Sequence, residues 1–148
     1  MPVTPAGTTP SSDDEALRLF GHLSCILTGD VALPEGAVRR HLRTLRDSGH
    51  AADLTQVLQR FHAVLESHGN IVDGVGRGLV DDVALGPFVK NILLLWFTGQ
   101  LPSTTAAAPT ASQDDYFEAL MWSAIGAHPP GLSDAYFGHW RYPPDEGV

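Results

Sequence analysis

Apolar side chains recur in this chain at three- and four-residue intervals, and that spacing constrains its fold more than any other feature. Leu17, Phe20, Leu23, Ile26 and Leu27 form one stripe, and Leu54, Val57, Leu58, Phe61, Val64 and Leu65 form another. Residues at these offsets stack on one face of an α-helix, whereas a half-buried strand would alternate with period two. Helix punctuation bounds each stripe. Ser11 and Ser12 both suit the N-cap of the first helix, and Asp13, Asp14 and Glu15 place negative charge at the positive end of its dipole. Gly29-Asp30 ends that helix. Pro34 suits the first position of a second helix, on which Val38, His41, Leu42 and Leu45 share one face and Arg39, Arg43 and Arg46 the other. Ser48-Gly49 terminates it, and a third helix is expected from about Ala52 to Ser67, stopped by Gly69-Asn70.

Residues 70–86 break the pattern with Gly74, Gly76, Gly78 and Gly86, so a loop is expected there, with a short helical turn at Leu79–Val83. Pro87 opens a fourth helix through Phe88, Asn91, Ile92, Leu95 and Trp96 to Thr98, capped by Gly99. It is apolar nearly all round and therefore belongs at the centre of the core. Residues 100–111 are rich in Ser, Thr, Ala and Pro, after which Ser112 caps a last helix with Asp115 as its capping-box partner. Tyr116, Ala119, Leu120 and Ser123 share a face of that helix, which Gly126 ends. The expected fold is all-α: about five helices in a small bundle over residues 13–126, a disordered tail at 1–12, and an extended Pro/aromatic segment at 127–148.

Charge and composition narrow the functions open to such a chain. The 148 residues carry a net charge of −8, with only nine Lys and Arg. Nucleic-acid binding requires cations to replace the phosphates' counterions, so no nucleic-acid partner is expected. The longest apolar run, Ile92 to Phe97, is far short of the ~20 residues a membrane span needs. Met1 to Pro10 hold neither a basic group nor an apolar stretch, so no export signal is expected there. Cys25 is the single cysteine, which excludes an internal disulfide and any all-cysteine metal site. Its apolar neighbours suggest a buried structural thiol.

No constellation carries catalysis. The seven histidines, at 22, 41, 50, 62, 68, 128 and 139, include no pair one helical turn apart beside a glutamate, as a zinc protease needs. They read as scattered surface or cap histidines. Asp13-Asp14-Glu15 and Asp114-Asp115 sit at helix starts, where the dipole accounts for them. No Gly-x-Ser-x-Gly elbow occurs. Gly74-Val75-Gly76-Arg77-Gly78 lacks both the Gly-Lys-Ser/Thr ending of a P-loop and dinucleotide-fold spacing, and reads as a flexible loop. The stripe of Arg39, Arg43 and Arg46 reads as a solvated face, with contact to an acidic partner as the functional reading. No catalytic, cofactor-binding or metal-binding residue is therefore expected.

The C-terminal segment is different in kind. Pro129-Pro130-Gly131, Tyr136-Phe137-Gly138-His139-Trp140 and Arg141-Tyr142-Pro143-Pro144 place large aromatics on backbone that cannot form a long helix. Restricted backbone loses little entropy on docking, and aromatic side chains dominate interface energetics. Such a segment can wrap its own core or lie on another protein, and the residues leave both open.

Four stretches together resemble a known family. Phe20-x-x-Leu23-Ser24-x-x-Leu27-Thr28-Gly29, the helix ending Leu95-Trp96-Phe97-Thr98-Gly99, Tyr116-x-x-Ala119-Leu120-x-Trp122, and the ending Pro129 to Pro144 with Gly138 and Trp140 occur in that order. They are similar to motifs of the small (gamma) subunits of membrane-bound FAD-dependent sugar and polyol dehydrogenases, the sorbitol, fructose, glucose and gluconate dehydrogenase complexes. The resemblance implies a subunit that does no chemistry, helps the FAD-containing large subunit mature and be exported, and stays bound to it. A multihaem cytochrome c subunit completes such complexes, and all redox cofactors sit on the other chains. It further implies a partner interface formed or buttressed by Trp96, Gly99, Trp122, Pro129, Pro130, Tyr136, Phe137, Trp140, Tyr142 and Pro143. Two departures stand out: the twin-arginine signal common in family precursors is not seen, and the tail lacks the cysteine many members carry. A periplasmic location within a complex is expected, the alternative being cytoplasmic. The rival functions are a free-standing helical chaperone or adaptor and a small metal-dependent enzyme built on the histidines.

Overall fold

The computed structural model describes residues 12–102, 112–127 and 129. These residues are all-α. The helices are α1 (Ser12–Thr28), α2 (Glu35–Leu45), α3 (Ala51–Glu66), α4 (Ile71–Val75), α5 (Gly86–Thr98), α6 (Gln113–Phe117) and α7 (Leu120–Ala124). The four helices of eleven residues or more, α1, α2, α3 and α5, build the bundle. α1 packs on α2, α3 and α5, and α7 packs on α5. No helix among the described residues is long and apolar enough to cross a membrane.

The periodic stripes form the core. Phe20 and Leu23 of α1, Val38, Leu42 and Leu45 of α2, Leu54, Val57, Leu58 and Phe61 of α3, and Phe88, Val89, Ile92, Leu95 and Trp96 of α5 are all buried. Each large apolar side chain removed from water contributes about 1.5–3 kcal/mol before conformational entropy is counted. The α1 stripe is rotated from the expected one. Leu19 and Ser24 are buried, while Leu17, Ile26 and Leu27 stay half-buried at its edges. α5 is central, yet Leu94 remains 43% exposed on its outer edge.

Two expectations are corrected. Residues 70–86 are not a plain loop. Asn70 caps α4 by accepting the Asp73 N–H at 3.1 Å, and the backbone continues through a wide turn, Gly76–Val80, closed by Asp81 N–H on the Gly76 carbonyl at 2.9 Å. Two of the glycines serve close packing here: a Cβ on Gly74 would lie 2.5 Å from Val64 Cγ1, and one on Gly86 2.6 Å from the Val80 carbonyl oxygen. Second, the last helix is two helices. Ala119, at φ −58° and ψ 131°, leaves helical geometry between α6 and α7. At this break the Tyr116 carbonyl accepts both the Trp122 indole N–H at 2.8 Å and the Ala119 N–H at 3.4 Å, a tighter turn than the α-helix, in which the Leu120 N–H would be its partner. Of the expected tail at 1–12, Ser12 opens α1 and the rest lies outside the described residues, as does nearly all of the expected 127–148 segment.

α1 and α5 end by the same device. In each, a threonine hydroxyl donates to the carbonyl four residues back, Thr28 to Ser24 at 2.8 Å and Thr98 to Leu94 at 2.7 Å, and accepts the N–H two residues on. A left-handed glycine follows, Gly29 at φ 74° and Gly99 at φ 72°. α2 and α3 are separated by a third left-handed glycine, Gly49 at φ 85°. The two breaks differ in surroundings. A Cβ on Gly49 would meet nothing within 4 Å, whereas on Gly99 it would lie 2.7 Å from the Asp115 carbonyl oxygen. Gly49→Ala is therefore expected to cost about 1 kcal/mol, the left-handed backbone term alone. Gly99→Ala is expected to cost about 3 kcal/mol, because backbone strain and a backbone clash add. Urea unfolding midpoints of the two variants measure the difference.

Candidate functional site

Trp96 sits where three of the bundle helices meet. Its ring is 2% exposed, and its indole N–H donates to the Ser24 hydroxyl at 3.0 Å across 72 residues of sequence. A buried indole N–H without an acceptor would carry its full desolvation cost, so this bond joins α5 to α1 at one required point. The His41 ring of α2 stands edge-on to the indole, with centroids 4.4 Å apart and planes at 88°. Such T-shaped packing matches a positive ring edge to a negative ring face.

The other side of His41 faces α6. Its Nδ1 lies 3.8 Å from Asp115 Oδ1, too far for a hydrogen bond, and has no hydrogen-bond partner. The Asp115 carboxylate is already engaged. Oδ1 accepts from Arg40 Nε at 3.1 Å and Oδ2 from the Ser112 hydroxyl at 2.7 Å, while that hydroxyl accepts the Asp115 N–H at 3.1 Å. Arg40 also pairs with Glu118. Burial pushes the His41 imidazole down to about 4; the Asp115 carboxylate acts against that shift and the Arg40 guanidinium with it. His41 is thus neutral at physiological pH. A network of Arg40, Asp115, Ser112 and Glu118 holds the short helix α6 onto α2.

A groove of about 360 Å³ opens at the same end of the bundle, lined by Thr28, Gly29, Asp30, Val31, Phe97, Leu120, Ser123 and Ala124. Val31 stands 95% exposed at its rim, and Ile125, next to Ala124, is 69% exposed. The Trp122 ring stacks edge-on against Tyr116 at 5.3 Å and is half-buried.

The expected interface residues divide by position. Trp96 is enclosed and can support a surface but not present one. Gly99 is buried against the Asp115 backbone. Trp122 is partly accessible, and Pro129 is buried. Pro130, Tyr136, Phe137, Trp140, Tyr142 and Pro143 lie outside the described residues. Sequence reasoning placed Asp115 only as a cap and Ser24 only in a motif. Their partners, Arg40 and Trp96, are 75 and 72 residues away, and no local spacing signals such pairs.

His22, His50 and His62 stay apart. His22 packs edge-on to Phe61, His50 lies 3.3 Å from Asp53, and His62 lies 3.5 Å from Glu66. Among the described residues no three His, Cys, Asp or Glu side chains gather where they could hold a metal ion. The arginine stripe is partly answered within the chain, Arg39 by Glu35 and Arg46 by Asp13 at 3.1 Å. This weakens its reading as a surface for an acidic partner. No family model, curated protein or solved structure matches this chain.

Two substitutions test this construction. Ser24→Ala strands the Trp96 indole N–H in the core and is expected to cost about 2 kcal/mol. Arg40→Met leaves the Asp115 carboxylate buried and unpaired. Because Arg40 itself is 32% exposed, the expected cost is discounted to about 2 kcal/mol. Chemical denaturation gives both totals. Amide exchange should locate the Arg40→Met loss at α6 and the Ser24→Ala loss throughout the bundle.

Proposed function

We propose that this chain is a non-catalytic accessory subunit that binds, helps mature and stabilises the FAD-containing large subunit of a membrane-bound sugar or polyol dehydrogenase. The FAD belongs to the partner, and a multihaem cytochrome c subunit joins the complex through it. In this reading the chain aids export of the large subunit and works on the periplasmic side. The reading rests on the four ordered stretches between Phe20 and Pro144 that resemble the small-subunit family.

One structural observation supports it. Residues of the first three stretches make the contacts between separate helices. Ser24 and Trp96 share the buried hydrogen bond, Thr28, Gly29, Phe97 and Leu120 line one groove, and Gly99 packs on the α6 backbone. The reading puts the large subunit on this groove, where Val31 stands 95% exposed. A groove of mixed polar and apolar lining with a protruding aliphatic side chain at its rim suits a protein contact better than free solvent.

The test is co-expression of a flavoprotein from the neighbouring reading frame with three forms of this chain: intact, cut after Gly126, and carrying Val31→Glu with Ile125→Glu. The intact chain is expected to co-elute with the flavoprotein on size exclusion and to give near-stoichiometric FAD. Both altered forms are expected to lower FAD-loaded yield at least several-fold. Equal yield and FAD content in all three would sink the proposal. High FAD content with the two proteins in separate peaks would replace a permanent subunit with a chaperone that leaves its client.

A further inference from the structure

We propose that the contact between His41 and Asp115 makes α6 an acid-releasable latch: the arm formed by α6 and α7 is docked at neutral pH and lifts from the bundle in mild acid. The latch is a property of this chain alone and does not depend on which partner it binds.

The geometry carries the argument. His41 is 4% exposed, with one side closed by the Trp96 ring and the other facing α6. Docking therefore removes water from an imidazole and gives its Nδ1 no hydrogen bond in return. A neutral ring tolerates this at modest cost, but an imidazolium does not. Among the described residues the only anion acting on it is Asp115, 3.8 Å away, and its two oxygens already serve Arg40 and Ser112. The charged groups acting on His41 are Asp115 of α6 and Arg40 of its own helix, which oppose one another; α5 presents only the uncharged Trp96 ring. Glu118 reaches the cluster through Arg40. Protonation therefore favours opening.

The arm is built to open. α6 and α7 are five residues each, too short to persist as isolated helices, so their order depends on docking. α6 is held to α2 by Arg40, which is one-third exposed, rather than by a stripe of core residues. The bundle helices α1, α2, α3 and α5 share an apolar core that does not include α6 and that α7 meets at its edge through the half-buried Leu120.

The sign follows from linkage. The docked form resists protonation of His41, whereas the open form titrates as an ordinary histidine near 6.5. Docking is thus fully favoured above about pH 6.5 and is progressively lost as pH falls towards about 4. With those two values the opening equilibrium of the arm is expected to rise about twentyfold between pH 7 and pH 5.

Amide hydrogen exchange on the full chain tests this, read as protection factors so that the pH dependence of intrinsic exchange is removed. Amides of α6 and α7 are expected to lose about twentyfold in protection from pH 7 to pH 5, while those at Leu58 and Phe61 in α3 change little. His41→Phe keeps a ring against Trp96 but cannot titrate, and should abolish the pH dependence. An independent NMR titration of wild-type protein should show His41 taking up its proton together with the loss of α6 protection. Constant α6 protection, increased protection at pH 5 (an imidazolium pairing with Asp115), or an undiminished loss in His41→Phe would each overturn the proposal. So would a His41 that titrates near 6.5 while α6 stays docked.

Discussion

The hydrogen bond from the Trp96 indole to the Ser24 hydroxyl is the point on which the bundle turns. Two polar groups lie in the apolar interior, and each is tolerable only because the other is there. The bond fixes how far α1 and α5 slide past one another, a constraint that interchangeable Leu and Val contacts impose weakly. Everything else at this end is arranged from that register. His41 packs on the fixed ring, and Gly99 ends α5 where the α6 backbone can pass against it.

The shared Thr-Gly endings of α1 and α5 show how a short sequence signal becomes geometry. The threonine hydroxyl satisfies a last-turn carbonyl and receives a loop N–H, so the chain leaves the helix with its polar groups paired. The glycine then reverses the backbone without a Cβ penalty. At Gly99 the missing Cβ has a second use, because it lets another backbone approach to contact distance. One residue therefore stops a helix and admits the segment that follows.

The four long helices were legible because amphipathic spacing and capping are local properties. Val38, His41, Leu42 and Leu45 are all buried, and Arg39, Arg43 and Arg46 all lie exposed on the opposite face, as periodicity demands. The glycine-rich stretch after Asn70 was misread because glycine signals two opposite things in sequence, freedom and close packing. Only the position of Val64 decides between them. The division of the last helix was hidden because it lies in the extended backbone of Ala119, a residue that by propensity continues a helix. The polar network of the site was invisible for a related reason. Arg40 lies outside the stripe of Arg39, Arg43 and Arg46 and Asp115 reads as a helix cap, and only the tertiary fold joins them. The histidines show both sides: their scatter in sequence was plain, and the apolar stripe of α2 set His41 on the buried face, but its neighbours Trp96 and Asp115 come from distant helices.

The twin endings also set the electrostatics of the groove they border. Thr28 and Gly29 close α1 and Phe97 lies in the last turn of α5, so two helix C-termini open onto one small surface, with Asp30 beside them. Neither helix has a basic side chain in its last turn to offset its dipole. The negative ends of two macrodipoles, together worth about one elementary charge, therefore face the same space. A groove with such a rim is a more favourable neighbour for lysine or arginine than for a carboxylate.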